Sequence, residues 1–364
     1  MEKILNFVEK NAMDMDMDSI FLEYGMDGIE ARLGELFPTL QIDLETLLKQ
    51  AFTGDIKGAL TGVAQMTFGS VITDLASLKN TFLLLLLMGI GAALISHFIR
   101  IFDKHQVADA GFYFLYLYMA AVLMKCFFSA AHTAAEAIQN IVTFIQVFIP
   151  AYFLSVGIAT GTMTAGAGYQ IILLIIFLVE KILLTLLMPL INSYMLLAVL
   201  NGCLSEERMT LLESGMEKMI RFLLKASLGI VAGISTLQSL LTPAIDSAKT
   251  GLLQKGLSAI PGVGEVTDSV VDMAFGAAAI IKNGIGFTAL LLLIAVALPP
   301  LCKLLLTAFV LKAAGAFMGL VSDKRMSTCA DRVGNAGRLL FQTVGTSFLL
   351  FMITISVVAF TTNR

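Results

Sequence analysis

The chain has 364 residues, of which 57% are hydrophobic and only 14% charged, with a formal net charge of −3 and a mean hydropathy of +0.87. A chain this apolar cannot hide its hydrophobic surface in one water-exposed fold, which excludes the soluble globular class and points to an integral membrane protein. Residues 1–80 hold thirteen Asp/Glu against six Lys/Arg, and the remainder fourteen against eighteen, so an acidic head precedes a mildly basic body and no basic arm suits nucleic acid.

In chain order, residues 1–78 form the acidic head. Ile4, Phe7 and Val8, then Ile20, Phe21 and Tyr24, fall at helical spacing without a membrane-length apolar run. They predict short amphipathic helices on a membrane surface or on partner helices, broken near Pro38, Gly54 and Gly69. The opening "MEKILNFVEK" is interrupted at Asn6, Glu9 and Lys10 and does not read as a secretory signal. Either the head reaches its side without a cleaved signal, or a precursor carries one that this chain lacks.

Spans are expected wherever about 20 apolar residues can cross roughly 30 Å of hydrocarbon. Residues 81–98 and 112–128 supply the first two. An overlong stretch at 170–200 is interrupted by Glu180, Lys181 and Pro189, and 222–241 follows it. A second overlong stretch at 285–321 is broken by Pro299 and Pro300, and 339–360 ends the series. Residues 141–168 carry Pro150 and a run of small residues, and read as either a span or a re-entrant element. The fold class is thus an all-α polytopic membrane protein with about six to eight transmembrane segments.

Two octapeptides repeat a charged phrase: "GCLSEERM" at 202–209 and "GLVSDKRM" at 319–326. Gly202 matches Gly319, Ser205 matches Ser322, Glu206 matches Asp323 and Arg208 matches Arg325. Asp103, Lys104 and His105 give a weaker third copy, and Pro38, Pro150 and Pro261 recur at intervals of about 112 residues. These anchors predict three tandem units of that length, each an amphipathic or re-entrant entry followed by a helical hairpin with a charged turn. The expected organisation is the head at 1–78, a first hairpin at 79–128, a second unit at 129–241 and a third at 242–364.

Parallel units place all three charged turns on one side. The turn regions 100–107, 201–221 and 321–338 hold two, three and four Lys/Arg, whereas the expected opposite loop at 129–141 holds none. The turns are therefore expected in the cytoplasm, with the head and C-terminus outside. Asp103, Lys104, Glu206, Arg208, Asp323, Lys324 and Arg325 are the candidate docking residues on that face. Gly202 and Gly319 are expected to end the helices before their turns.

Glu180 and Lys181 are the candidate intramembrane functional residues. A charge in the hydrocarbon costs roughly 2.5–3.5 kcal/mol on insertion scales, so each needs a partner or a wet cavity; the alternative is that the pair marks an interfacial bend. Gly157, Gly161, Gly166 and Gly168 lack the following Lys-Ser/Thr of a phosphate loop and are expected, with Gly229 and Gly233, to let helices approach closely. Cys126, Cys203, Cys302 and Cys329 form no paired motif, and His97, His105 and His132 have no ligand spacing. Lys125, Lys225, Lys303 and Lys312 are expected mostly to snorkel to an interface. No catalytic, cofactor or metal constellation is expected.

The acidic head, the stretch "AIPGVGEVTDSVVDMAFGAAAIIKNGIG" at 259–286, the Leu-rich segment after it and the "SDKRM" turn resemble the stage III sporulation protein AE family of endospore-forming bacteria. The resemblance implies a permease-like polytopic core, in the mother-cell-derived membrane around the forespore, of the channel or feeding-tube complex that serves late forespore development. It implies as partners a cytoplasmic secretion-type ATPase (the AA protein), small membrane proteins of the same operon and the ring-forming AG and AH proteins. A homo-oligomer is compatible with it. The competing readings are a stand-alone secondary transporter of a small molecule, which would use Glu180, and a scaffold that conducts nothing.

Overall fold

The computed structural model describes residues 56–102, 105–160, 174–203, 209–257, 264–321 and 324–361. The expectations placed on the head before residue 56, and those on Asp103, Lys104, Glu206, Arg208, Asp323, Gly161, Gly166 and Gly168, lie outside the described residues, as do the surroundings of Gly157.

The described chain is helical throughout. Helix α1 (Ile56–Phe102) leads into α2 (His105–Thr160). A third rod runs from 174 to 182, passes through a π-helical turn at Leu183–Leu187 and continues as α3 (Met188–Cys203). Helices α4 (Thr210–Leu257), α5 (Gly264–Val321) and α6 (Lys324–Thr361) complete the bundle. Five stretches are long and apolar enough to cross a membrane: Val71–Leu94, Ala110–Gln146, Leu174–Cys203, Gly286–Val321 and Lys324–Ile353. The chain is a polytopic membrane protein.

Several expected breaks are absent. Helix α1 runs through Gly69, so the head boundary at 78 falls inside it. The expected loop at 129–141 is the middle of α2, where Ala130, Ala131, Ala134, Ala135 and Ala137 favour helix and no Gly or Pro intervenes. His132 and Glu136 stand one turn apart there, 3.4 Å from each other. Helix α5 carries Pro299 and Pro300 in its interior, a tolerance that apolar surroundings give to transmembrane helices.

The π turn follows from Pro189. Proline has no N–H to give the carbonyl of Thr185, and its ring crowds that oxygen. The helix widens just upstream, where the N–H of Met188 donates to the carbonyl of Leu183 in place of the usual bond one residue shorter.

Side-chain contacts fix the relative heights of the rods. Helices α1 and α5 run parallel, since Asp74 meets Lys303 and Gly89 meets Met318. Helix α2 returns beside α1 with Leu115 against Gly91, and Gly334 and Gly337 of α6 meet Lys312 and Ala308 of α5. Tyr116 of α2 donates to the carbonyl of Val199 in α3 at 2.7 Å. Three hairpins therefore turn at the same end of the bundle. Helix α6 is the inner one: 56% of its spanning window is enclosed, against 24% for α1. Outward faces carry large apolar side chains such as Leu87, Phe114, Leu174 and Phe309, which suit lipid or a neighbouring membrane subunit.

Candidate functional site

Two levels of the bundle concentrate polar chemistry. At the turn end, Asn201 on α3 is fully buried and organises the second turn. Its Oδ1 accepts from the backbone N–H of Met209 at 3.2 Å, while its Nδ2 faces Thr210 Oγ1 and Glu213 Oε2, each at 3.4 Å. Glu213 in turn meets Arg332 of α6 at 3.2 Å, with side-chain exposures of 7% and 13%. One helical repeat further on, Arg221 grips Glu217 at 2.6 Å and Gln342 of α6 at 3.2 Å. Glu213, Glu217 and Arg221 occur every fourth residue, so one stripe of α4 faces α6.

The same end ties the three turns together. Arg325, at the start of α6, stacks over the ring of Phe112 in α2, 4.4 Å from its centroid. A Cβ at Gly202 would collide with the Tyr116 hydroxyl and touch Cys329, and one at Gly319 would come within 2.8 Å of Ser327 Oγ. Both octapeptide glycines lie in the last turn of their helices, which end at Cys203 and Val321, and there they allow close approach between hairpin arms. The closest approach to backbone is at Gly315, where a Cβ would lie 2.8 Å from the backbone nitrogen of Asp331; its carbonyl accepts from Ser327 Oγ at 2.8 Å.

Gly229 and Gly233, expected at such contacts, have no described atom within 4 Å of an added Cβ. The close contacts fall instead on Gly89 of α1, Gly202 of α3, Gly315 and Gly319 of α5 and Gly334 of α6. Lys324 is exposed at the first residue of α6.

A second polar level lies farther from the turns, within the bundle. Counting about 1.5 Å per residue, Glu180 stands about 35 Å from the end of α3, close to one hydrocarbon thickness from the turns. The ladder of contacts brings Asp74, Lys303, His132 and Glu136 to a similar height. Glu180 is 1% exposed and lies beside the hydroxyl of Ser347, yet neither carboxylate oxygen completes a hydrogen bond among the described residues. Lys181, its neighbour, points the other way and is exposed, as a 100° step requires. The helix is continuous through the pair and widens into the π turn at Leu183–Leu187 just beyond it.

Three of the membrane lysines take separate roles. Lys303 meets Asp74 at 3.5 Å and Lys312 meets Asp331 at 3.4 Å, while Lys125 lines a pocket between α1, α2 and α5. Among the described residues no group of three or more His, Cys, Asp or Glu could hold a metal ion. Asn201, Glu213, Arg332, Arg221 and Gln342 were not singled out in the sequence; the fourfold spacing of Glu213, Glu217 and Arg221 was the available signal.

Residues 42–362 match the family model described as Stage III sporulation protein AE. The chain belongs to that family. A curated relative, "Stage III sporulation protein AE" of Bacillus subtilis (strain 168), is 22% identical over 337 residues, covering 90% of this chain and 84% of the relative. No solved structure matches the chain. Membership in this family implies a role in sporulation, and the match covers every spanning helix described above.

Proposed function

We propose that this chain is the non-enzymatic, polytopic membrane core of a secretion-like channel complex between mother cell and forespore. Its three charged turns form the cytoplasmic docking face, and its ATPase, small membrane and ring-forming partners assemble around it. The tandem three-unit origin of the hairpins belongs to the same proposal. The observation that carries it is the convergence of the turns at one end, with Arg325 of the third hairpin seated on Phe112 of the first. A surface made from three separated segments suits a partner that must recognise the folded protein and not a linear peptide. Reversing charge at Arg208 and Arg325 together is expected to weaken association with the cytoplasmic ATPase while membrane insertion stays intact; unchanged association would refute the docking face.

A second reading, a stand-alone transporter, is favoured by the enclosed carboxylate of Glu180. Glu180 stands as a single enclosed acid, whereas the midplane site of a secondary transporter gathers several polar groups. Saturable uptake by the purified protein in liposomes, lost in Glu180→Gln, would reverse that preference.

A further inference from the structure

Lys125 lies well inside the Ala110–Gln146 span, and Lys303 stands at the middle of the Gly286–Val321 span. Buried apolar residues continue past both of them in either direction, Met119 and Ile138 along α2, Leu311 and Leu292 along α5. The pocket of about 620 Å³ that the two lysines share with Asp74, Thr81 and Ser129 is therefore set within the apolar length of the helices. Lys303 meets Asp74 there at 3.5 Å, whereas Lys125 is exposed and has no ion-pair partner among the described residues. Two ammonium groups face one carboxylate, so the pocket is short of one negative charge. An ammonium group at that depth is costly without a counter-charge.

The surface around Lys125 has the spacing of a helix seam. Phe114, Tyr118, Ala121, Lys125 and Phe128 follow one another at alternating steps of four and three residues, and all five are exposed. That alternation keeps one line of a helix against a neighbouring helix at a shallow crossing angle. Ala121 leaves a hollow between the larger Tyr118 and Lys125, as close approach of membrane helices requires. Leu84 of α1, 36% exposed, forms the facing wall. Acyl chains could cover the apolar part of the seam but carry no charge to meet the lysine.

We propose that this seam receives a transmembrane helix of a different protein, one that carries an Asp or Glu at the height of Lys125. A second copy of this chain fits less well. Glu136 is the outward-facing carboxylate of the same span, but it lies eleven residues from Lys125, about 16 Å in height, so a copy in the same orientation cannot bring it there. The inference deepens the reading of this chain as a core with membrane partners, and it is independent of the cytoplasmic docking face.

The test uses the purified full chain in phosphatidylcholine liposomes with a synthetic Leu/Ala helix of about 20 residues bearing one central Glu, association being read by energy transfer. The Glu peptide is expected to bind about tenfold tighter than its Gln counterpart, the worth of a polar contact between membrane helices. Lys125→Gln is expected to abolish that preference, and Ala121→Phe to weaken binding of both peptides by filling the hollow. Both positions are exposed, and an unchanged unfolding temperature checks that the variants fold. Equal binding of the two peptides, or a preference that survives Lys125→Gln, overturns the proposal. Phosphatidylglycerol that displaces the Glu peptide and is retained by the parent but not by Lys125→Gln overturns it in favour of a lipid. A cross-link between positions 121 of two copies in native membranes overturns it in favour of self-association. Any of these failures leaves the charge reversal at Arg208 and Arg325 as a separate test of the complex itself.

Discussion

Glu213 of α4 and Arg332 of α6 lie 3.2 Å apart and almost wholly enclosed, joining the second hairpin to the third beside the turns. A buried charge that loses its partner costs far more than the pair contributes, because desolvation remains while the attraction is gone. Arg332→Met is therefore expected to destabilise the protein by roughly 3–5 kcal/mol, read as a fall in thermal unfolding temperature in detergent. Adding Glu213→Gln, which keeps an amide toward Asn201, is expected to recover most of the loss. A double variant as unstable as the single one would show that the pair is not the source.

Glycines at the hairpin contacts are expected to separate sharply from those on open faces. Gly315→Ala drives a Cβ against the backbone of Asp331, and overpacking of this kind costs roughly 1–3 kcal/mol. Gly229→Ala meets no described atom and is expected to stay within about 0.5 kcal/mol of the parent. The comparison of the two unfolding temperatures measures this, and equal effects would place the close packing elsewhere.

Replacing Glu180 tests whether its carboxylate is structural. The side chain is enclosed and its oxygens complete no hydrogen bond among the described residues, so a neutral isostere removes a desolvation cost without removing a partner. Glu180→Gln is expected to unfold at the same temperature as the parent or higher. A clear loss of stability would mean that the carboxylate holds a charged partner.

The hairpin geometry constrains topology. Reporters fused at Arg100 and at Arg325 are expected on the same, cytoplasmic side, since both sites lie toward the turn end of their helices. Opposite locations would contradict the like-sided hairpins.

The helical, apolar character of the rods was legible because apolar length and charged punctuation are one-dimensional signals, but six to eight spans were expected and five stretches qualify among the described residues, 222–241 not among them. Thus 81–98 and 112–128 fall on or beside the Val71–Leu94 and Ala110–Gln146 spans. The break expected at 129–141 is absent because a lack of Lys and Arg looks the same in a short loop and in a helix rich in alanine. Glycine roles were not legible either: Gly229 and Gly315 have similar apolar neighbours, and only the facing helix decides which one a Cβ would obstruct. Glu180 is conspicuous in the sequence, but its enclosure depends on residues distant in sequence, Ser347 among them. The octapeptides marked the right places, yet their glycines act sideways, on Tyr116 and Ser327, and not along their own helices.

The most direct measurement is the composition and stoichiometry of the particle obtained when the tagged chain is extracted from sporulating cells in mild detergent. A stable assembly that includes the cytoplasmic ATPase, and that loses it on charge reversal at Arg208 and Arg325, is the expected result. A monodisperse single chain without partners, active alone in liposomes, would contradict the assignment of this protein as the core of a complex.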